Sequence, residues 1–150
     1  MTASIPAFEE TIQLTNQWLN ELMCAVDWSD KQRTYRLLRA TLHTLRDYLP
    51  PHEAVHFGAQ LPMLIRGIYY EGWHIKDHPA HERSKQDFID HVEASFARDP
   101  NSDPEELIRE VLGLLARRIS AGEVRIVKHV LPPQVRALWP AEEDVESRAH

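Results

Sequence analysis

The sequence predicts an all-α protein: a single helical domain built from two tandem, pseudo-symmetric repeats, each with two long and two short helices. Three observations predict this class. Apolar residues recur three and four positions apart along most of the chain, which is the spacing of one helical face. Capping residues precede most of the segments that carry these stripes, and prolines end some of them. The apolar pattern of the first half also returns in the second half in the same order and spacing.

The two long helices of the first repeat are predicted from their start signals. Ser4 is a capping residue, and Pro6 suits a first helical turn because it lacks an N–H. The apolar stripe that follows consists of Phe8, Ile12, Leu19, Leu22 and Val26. The second helix is predicted to begin at Ser29, which forms a capping-box pattern with Gln32. Its stripe consists of Tyr35, Leu38, Leu42, Leu45 and Leu49, and two prolines end it.

Two short helices complete the first repeat, which we place at about residues 8–73. One short helix is predicted over 51–60, and the other runs from Pro62 to about residue 71. The stretch 73–83 contains Pro79 and has no apolar period, so we predict a connecting loop there.

The second repeat is predicted over residues 84–140, with helix starts at Ser84, Asp103 and Ser120. Asp103 precedes a proline, and Ser120 forms a second capping-box pattern with Glu123. The stripes are Phe88, Ile89, Val92 and Phe96, then Leu107, Ile108, Val111, Leu112, Leu115 and Ile119. Residues 141–150 carry four acids, and we expect a flexible acidic tail after a domain that spans residues 1–140.

Identical residues support an internal duplication when 70 is added to each residue number. The matched residues are Leu37, Arg39, Leu42, Leu45, Glu53, Leu61, Pro62 and Arg66, which correspond to Leu107, Arg109, Leu112, Leu115, Glu123, Leu131, Pro132 and Arg136. The apolar stripes and the Leu-Pro break coincide in the same register. Because a unit with one apolar face must bury it against its copy, we expect the repeats to pack face to face.

Charge and composition argue against several classes of function. The chain has 17 Lys and Arg against 23 Asp and Glu, and this net charge of −6 disfavours binding to nucleic acid. The longest stretch without a charged residue has 12 residues, whereas about 20 apolar residues span a bilayer. The single Cys24 cannot form an internal disulfide, which favours a reducing compartment. We therefore expect a cytoplasmic protein without a nucleic-acid partner, a membrane partner or a cofactor.

One run of the sequence resembles a known family. Residues 59–73 read AQLPMLIRGIYYEGW and are followed by Glu82-Arg83 and a Phe-bearing helix. This long and specific run resembles the bacterial family called domain of unknown function 2267, and the resemblance extends from about Asn16 to Trp139. It implies a small, α-helical, duplicated protein. No activity, cofactor or catalytic residue is established for the family, so the resemblance supports the fold and supplies no site.

The segment His52-Glu53-Ala54-Val55-His56 matches a pattern in which two His on one helical face bind zinc and the Glu is a general base. A catalytic zinc site needs a third protein ligand. The equivalent residues 122–126 of the second repeat keep Glu123 but contain no His. An acid at the third position of a helix binds free N–H groups and complements the dipole, so we interpret Glu53 and Glu123 as structural. A metal-dependent hydrolase that uses His52, Glu53 and His56 is the alternative.

A second group of histidines, His74, His78 and His81, lies in the predicted loop. Because Pro79 prevents a helix there, a metal would itself have to order the loop. We interpret these histidines as surface residues, with metal binding as the alternative.

Arg66 has two interpretations. Its recurrence as Arg136 predicts a structural role, in which each Arg pairs with the acid of its own repeat, Glu53 or Glu123. The functional interpretation groups Arg66 with nearby residues of types that are enriched at binding hot spots: Tyr69, Tyr70 and Trp73.

The sequence contains no arrangement to which we assign a catalytic role. It predicts a non-enzymatic interaction or assembly protein, which forms a homo-oligomer or binds a protein partner through residues 66–73. A small ligand bound between the two repeats is a further alternative.

Overall fold

The computed structural model describes residues 4–75, 84–96 and 101–141, and within these ranges the chain forms helices and no strand. The predicted all-α class is confirmed for these residues, while the predicted acidic tail and most of the 73–83 loop lie outside them. In chain order the helices are α1 (Pro6–Val26), α2 (Lys31–Tyr48), α3 (Pro51–Gly58), α4 (Met63–Tyr70), α5 (Lys85–Ser95), α6 (Pro104–Arg118), α7 (Ala121–Val130) and α8 (Pro133–Arg136).

Side-chain caps begin four of these helices. In α2 the cap is Asp30, whose carboxylate accepts a hydrogen bond from the backbone N–H of Arg33 at 3.1 Å. The predicted cap at Ser29 is therefore wrong by one residue, and a carboxylate is the stronger partner for the positive end of the helix dipole. The predicted caps of α5, α6 and α7 are confirmed: Ser84, Asp103 and Ser120.

The N-terminal part of α1 differs from the prediction in two respects. Ile5 occupies the N-cap position without a side-chain bond, so the predicted cap at Ser4 is wrong. Phe8 and Ile12 continue the apolar stripe of α1, yet each remains 50% exposed. Burial on α1 begins at Thr15 and continues at Trp18, Leu19 and Leu22.

The hydrophobic core lies around helices α2 and α6, which contain the largest numbers of buried residues. Helix α2 packs against α1, α4, α5 and α6, and α6 also packs against α1 and α5. The short helix α3 contacts α4 on one side and α7 on the other. The largest fully buried side chains include Trp18, Tyr48, Tyr69, Phe57 and Phe88. No helix in the described ranges is both apolar enough and long enough to cross a membrane.

Two residues of α2 hold the C-terminal end of α4. Since a carbonyl only accepts, His43 Nε2 carries the hydrogen and donates it to the carbonyl of Ile68 at 2.7 Å. Arg46 Nη1 donates to the carbonyls of Tyr69 at 2.8 Å and Glu71 at 2.9 Å. The last carbonyls of a helix have no partner inside the helix. These bonds therefore satisfy them and fix α4 against α2.

Candidate functional site

The His-Glu-Ala-Val-His segment forms most of α3, which begins at Pro51 and ends at Gly58. His52 and His56 are exposed and lie four residues apart, so they share one face of the helix. Glu53 is half-buried and lies beside α7. The two imidazoles are thus accessible from outside the molecule.

His56 is hydrogen-bonded to Glu123 of α7, a contact between the two halves of the chain. The distance from His56 Nδ1 to Glu123 Oε2 is 2.7 Å. The His56 side chain is 52% exposed, whereas that of Glu123 is 2% exposed. A carboxylate accepts, so Nδ1 of His56 donates its hydrogen, and Nε2 is left as the other nitrogen of a half-exposed ring.

The second carboxylate oxygen of Glu123, Oε1, is buried and has no hydrogen-bond partner. The backbone N–H of Glu123 donates to the hydroxyl of Ser120 at 3.1 Å, so Ser120 caps α7 as predicted. The side chain of Glu123, however, points its Oε2 at His56 rather than completing a capping box. Glu123 therefore lies in the first turn of α7 and also makes a direct contact with His56.

A shallow groove lies beside this pair, between α3 and α7. Its lining consists of Glu53, Gly122, Arg125, Ile126, His129 and Val130. Adding 70 to 56 gives Ile126, and subtracting 70 from 123 gives Glu53, so the groove contains the counterparts of His56 and Glu123. Ile126, the counterpart of His56, is aliphatic and cannot donate a hydrogen bond to Glu53. The His56–Glu123 hydrogen bond therefore has no equivalent between Ile126 and Glu53.

The predicted ion pairs of Arg66 and Arg136 are wrong in their partners. Arg66 Nε donates to the carbonyl of Gly58 at 3.2 Å, and its Nη2 donates to the carbonyl of Leu61 at 2.9 Å. Gly58 is the last residue of α3 and Leu61 follows that helix, whereas Glu53 lies in its first turn. Arg136 likewise binds carbonyls at the end of α7: those of Lys128, His129 and Leu131.

The predicted binding residues 66–73 do not form an open patch. Tyr69 is fully buried, its hydroxyl donates to the carbonyl of Ala54 at 2.6 Å, and burial raises its pKa well above the ordinary value. The prediction that Tyr69 binds a partner is therefore wrong, because its ring belongs to the core. Tyr70 and Trp73 are half-buried, and their ring centroids lie 5.5 Å apart. Both pack against the core.

Comparison with known proteins places this architecture in a family. A family model described as "Uncharacterized conserved protein (DUF2267)" matches residues 15–138. The chain belongs to this family. No curated protein matches it. The matched region of this DUF2267 protein includes His56 and Glu123, whereas Phe8 and Ile12 precede it.

The described parts of the DUF2267 protein contain no group of three or more His, Cys, Asp or Glu residues that could hold a metal ion. Of the predicted loop histidines, His74 is exposed, and His78 and His81 lie outside the described residues. The sequence singles out both Glu123 and His56 but does not pair them. The signal that could have paired them is the matched spacing of the two halves, since α3 and α7, which carry these residues, start 70 residues apart and pack against each other.

A small cavity of about 20 Å³ is lined by residues of both predicted repeats, mostly apolar ones: Leu37, Val92, Phe96, Pro104, Leu107 and Ile108. The predicted binding of a small ligand between the repeats stays a prediction for this cavity.

Proposed function

We propose that this DUF2267 protein is a non-enzymatic interaction protein that associates with a second copy of itself. The proposed contact is an apolar surface, the α1–α4 surface, formed by Ile5, Phe8, Ile12, Met63 and Leu64. The observation that supports it is the exposure of these five side chains, which ranges from 40% for Leu64 to 56% for Ile5. Scattered apolar residues on a surface are ordinary, whereas a contiguous group marks an interaction site.

The two parts of the α1–α4 surface are joined by a hydrogen bond. The backbone N–H of Leu64, in the first turn of α4, donates to the hydroxyl of Thr11 at 2.9 Å. Thr11 precedes Ile12 and lies one turn after Phe8, so Leu64 is held beside the exposed end of the α1 stripe. Helices α1 and α4 also pack against each other.

A second copy is the occupant that fits this surface best. None of its five side chains carries a charge, so two such surfaces need no charge matching and can pair about a two-fold axis. Each surface exposes on the order of 500 Å² of apolar area, and two together bury about 1,000 Å², the lower limit for a specific interface. We therefore expect a weak, reversible dimer.

We further infer that the helical domain is an internal duplication with units at about residues 8–73 and 84–140. The inference is supported by helix bounds: α3 starts at Pro51 and α7 at Ala121, and α2 and α6 end at Tyr48 and Arg118. In each pair the two residue numbers differ by 70, which is also the offset between the matched residues of the two halves. Cross-packing supports it too, because α1 packs against α6 and α2 packs against α5.

Light scattering coupled to size-exclusion chromatography tests the proposed dimer. The wild-type mass should rise from monomer towards dimer as concentration increases, and Phe8→Glu and Leu64→Glu should each remain monomeric. Val55→Glu is the matched control, because Val55 is an equally exposed apolar residue (50%) on α3 that is not part of the α1–α4 surface.

A monomeric wild-type chain at all concentrations would contradict the proposal. So would a dimer that survives Phe8→Glu and is lost in Trp73→Ala, since the contact would then lie in residues 66–73.

A further inference from the structure

The His56–Glu123 pair has the arrangement of a histidine held ready for a metal ion. Metal-binding histidines usually donate the hydrogen of one ring nitrogen to a carboxylate, which fixes the ring and makes the other nitrogen a better ligand. Here Nδ1 of His56 donates to Glu123 Oε2 at 2.7 Å. In the neutral imidazole, Nε2 then carries the lone pair, and the His56 side chain is 52% exposed.

A second imidazole lies one helical turn away. His52 and His56 are separated by four residues within α3, and both are exposed. Two histidines at this spacing can bind one metal ion from the same face of a helix.

We propose that His52 and His56 form a two-histidine site for a divalent transition metal ion such as Zn²⁺. Glu123 is the positioning residue that orients His56. The remaining coordination positions are open to solvent or to a ligand brought by another molecule. This site is independent of the α1–α4 surface and of the proposed self-association.

The donor set determines which metals fit. Two neutral imidazoles suit zinc, copper and nickel, and they lack the oxygen ligands that calcium and magnesium need. The site has two protein ligands, whereas a closed structural zinc site has four, so binding is weaker than at a structural site.

The burial of Glu123 explains why its carboxylate can orient the ring of His56. Its side chain is 2% exposed, and Oε2 is directed at His56. Its other oxygen, Oε1, has no hydrogen-bond partner. Little solvent therefore screens the contact between Glu123 and His56. Glu53, the acid of the original sequence pattern, is not the residue that orients the imidazole.

Isothermal titration of the untagged, chelator-treated protein with ZnCl₂ at pH 7.5 tests the proposal. We expect one zinc ion per chain on the α3 site. His52→Ala and His56→Ala should each abolish this binding. Glu123→Gln keeps the size of the side chain and should weaken the affinity about tenfold, the effect typical of losing the partner of a metal ligand.

The control variant replaces His74, His78 and His81 with Ala and should bind zinc as the wild type does. A wild-type protein that binds no zinc would overturn the proposal. Zinc binding that survives His52→Ala, or that disappears in the control variant, would overturn it as well.

A spectroscopic measurement on the wild type keeps the test independent of variant folding. In ¹H–¹⁵N spectra of the imidazoles, zinc should shift the Nε2 signal of His56 and a ring-nitrogen signal of His52, while Nδ1 of His56 stays protonated. Zinc that shifts only other histidines would contradict the assignment.

Discussion

Arg66 and its counterpart in the second half, Arg136, bind backbone carbonyls that are themselves counterparts. On α4, Arg66 donates to the carbonyls of Gly58 and Leu61. On α8, Arg136 donates to those of Lys128 and Leu131. In each case a guanidinium on one short helix satisfies the free end of the short helix before it, so the planar donor group of Arg serves two acceptors at once.

Loss of the Arg66 side chain should destabilise the fold. In Arg66→Ala the carbonyls of Gly58 and Leu61 lose a charged donor, which should lower the free energy of unfolding by about 1–3 kcal/mol. Arg66→Lys should recover only part of this, because one ammonium does not reproduce the two-pronged contact. Urea denaturation measures the effect. Arg36→Ala, at an exposed position of α2, is the control and should change stability by less than about 0.5 kcal/mol.

Gly58 leaves room for an aromatic ring that a larger residue would displace. A Cβ at this position would lie 2.5 Å from the hydroxyl oxygen of Tyr70. Gly58→Ala should therefore destabilise the protein by about 1–3 kcal/mol, as overpacking does. At Gly67, also in a helix, an added Cβ meets nothing within 4 Å. Gly67→Ala should instead stabilise by about 0.5–1 kcal/mol. Thermal or urea unfolding of both variants compares them, and equal effects would contradict the packing at Gly58.

The stability contributed by His43 should depend on pH. Burial lowers the pKa of His43 from its ordinary 6.5, the bond to the Ile68 carbonyl opposes this, and the charges of Arg46 and Arg39 lower it further. The unfolded chain therefore binds the proton at a higher pH than the folded protein does. The contribution of His43 is fully present above pH 6.5 and is lost as the pH falls through the lowered pKa.

Urea unfolding at pH 7.5 and pH 5.5 measures this dependence. Wild-type stability should fall more between these two pH values than that of His43→Gln, in which this titration is absent. Equal losses in the two proteins would show that His43 titrates normally in the folded state.

His56 and Glu123 should be energetically coupled. His56→Ala leaves a buried carboxylate without its partner and should lower the free energy of unfolding by about 1–3 kcal/mol. The same substitution made in a Glu123→Gln background should cost less, because an uncharged amide tolerates burial better. A double-mutant cycle by urea denaturation measures the difference, and strictly additive effects would contradict a direct interaction.

Much of the fold could be predicted from local signals. The recurrence of apolar residues three and four positions apart, the prolines and the caps at Ser84, Asp103 and Ser120 are properties of single helices, and the structure agrees with them. The wrong caps, at Ser4 and Ser29, are each displaced by one position, where neighbouring residues compete for the start of the helix.

The hydrogen-bond partners of Arg66 could not be predicted from such local signals. Whether Arg66 reaches an acid or a helix end depends on how α3 and α4 meet, and the sequence pattern of either helix alone does not contain this. Tyr69 and Phe8 illustrate the same limit for burial. Both lie on apolar helical faces, yet Tyr69 is fully buried and Phe8 is 50% exposed.

Intermolecular NOEs in a mixture of ¹³C-labelled and unlabelled wild-type protein test the proposed self-association most directly, because they locate the contact without altering any residue. We expect contacts between copies at the ring of Phe8 and the methyl groups of Ile12 and Leu64. Intermolecular contacts confined to another surface, or none at millimolar concentration, would contradict it.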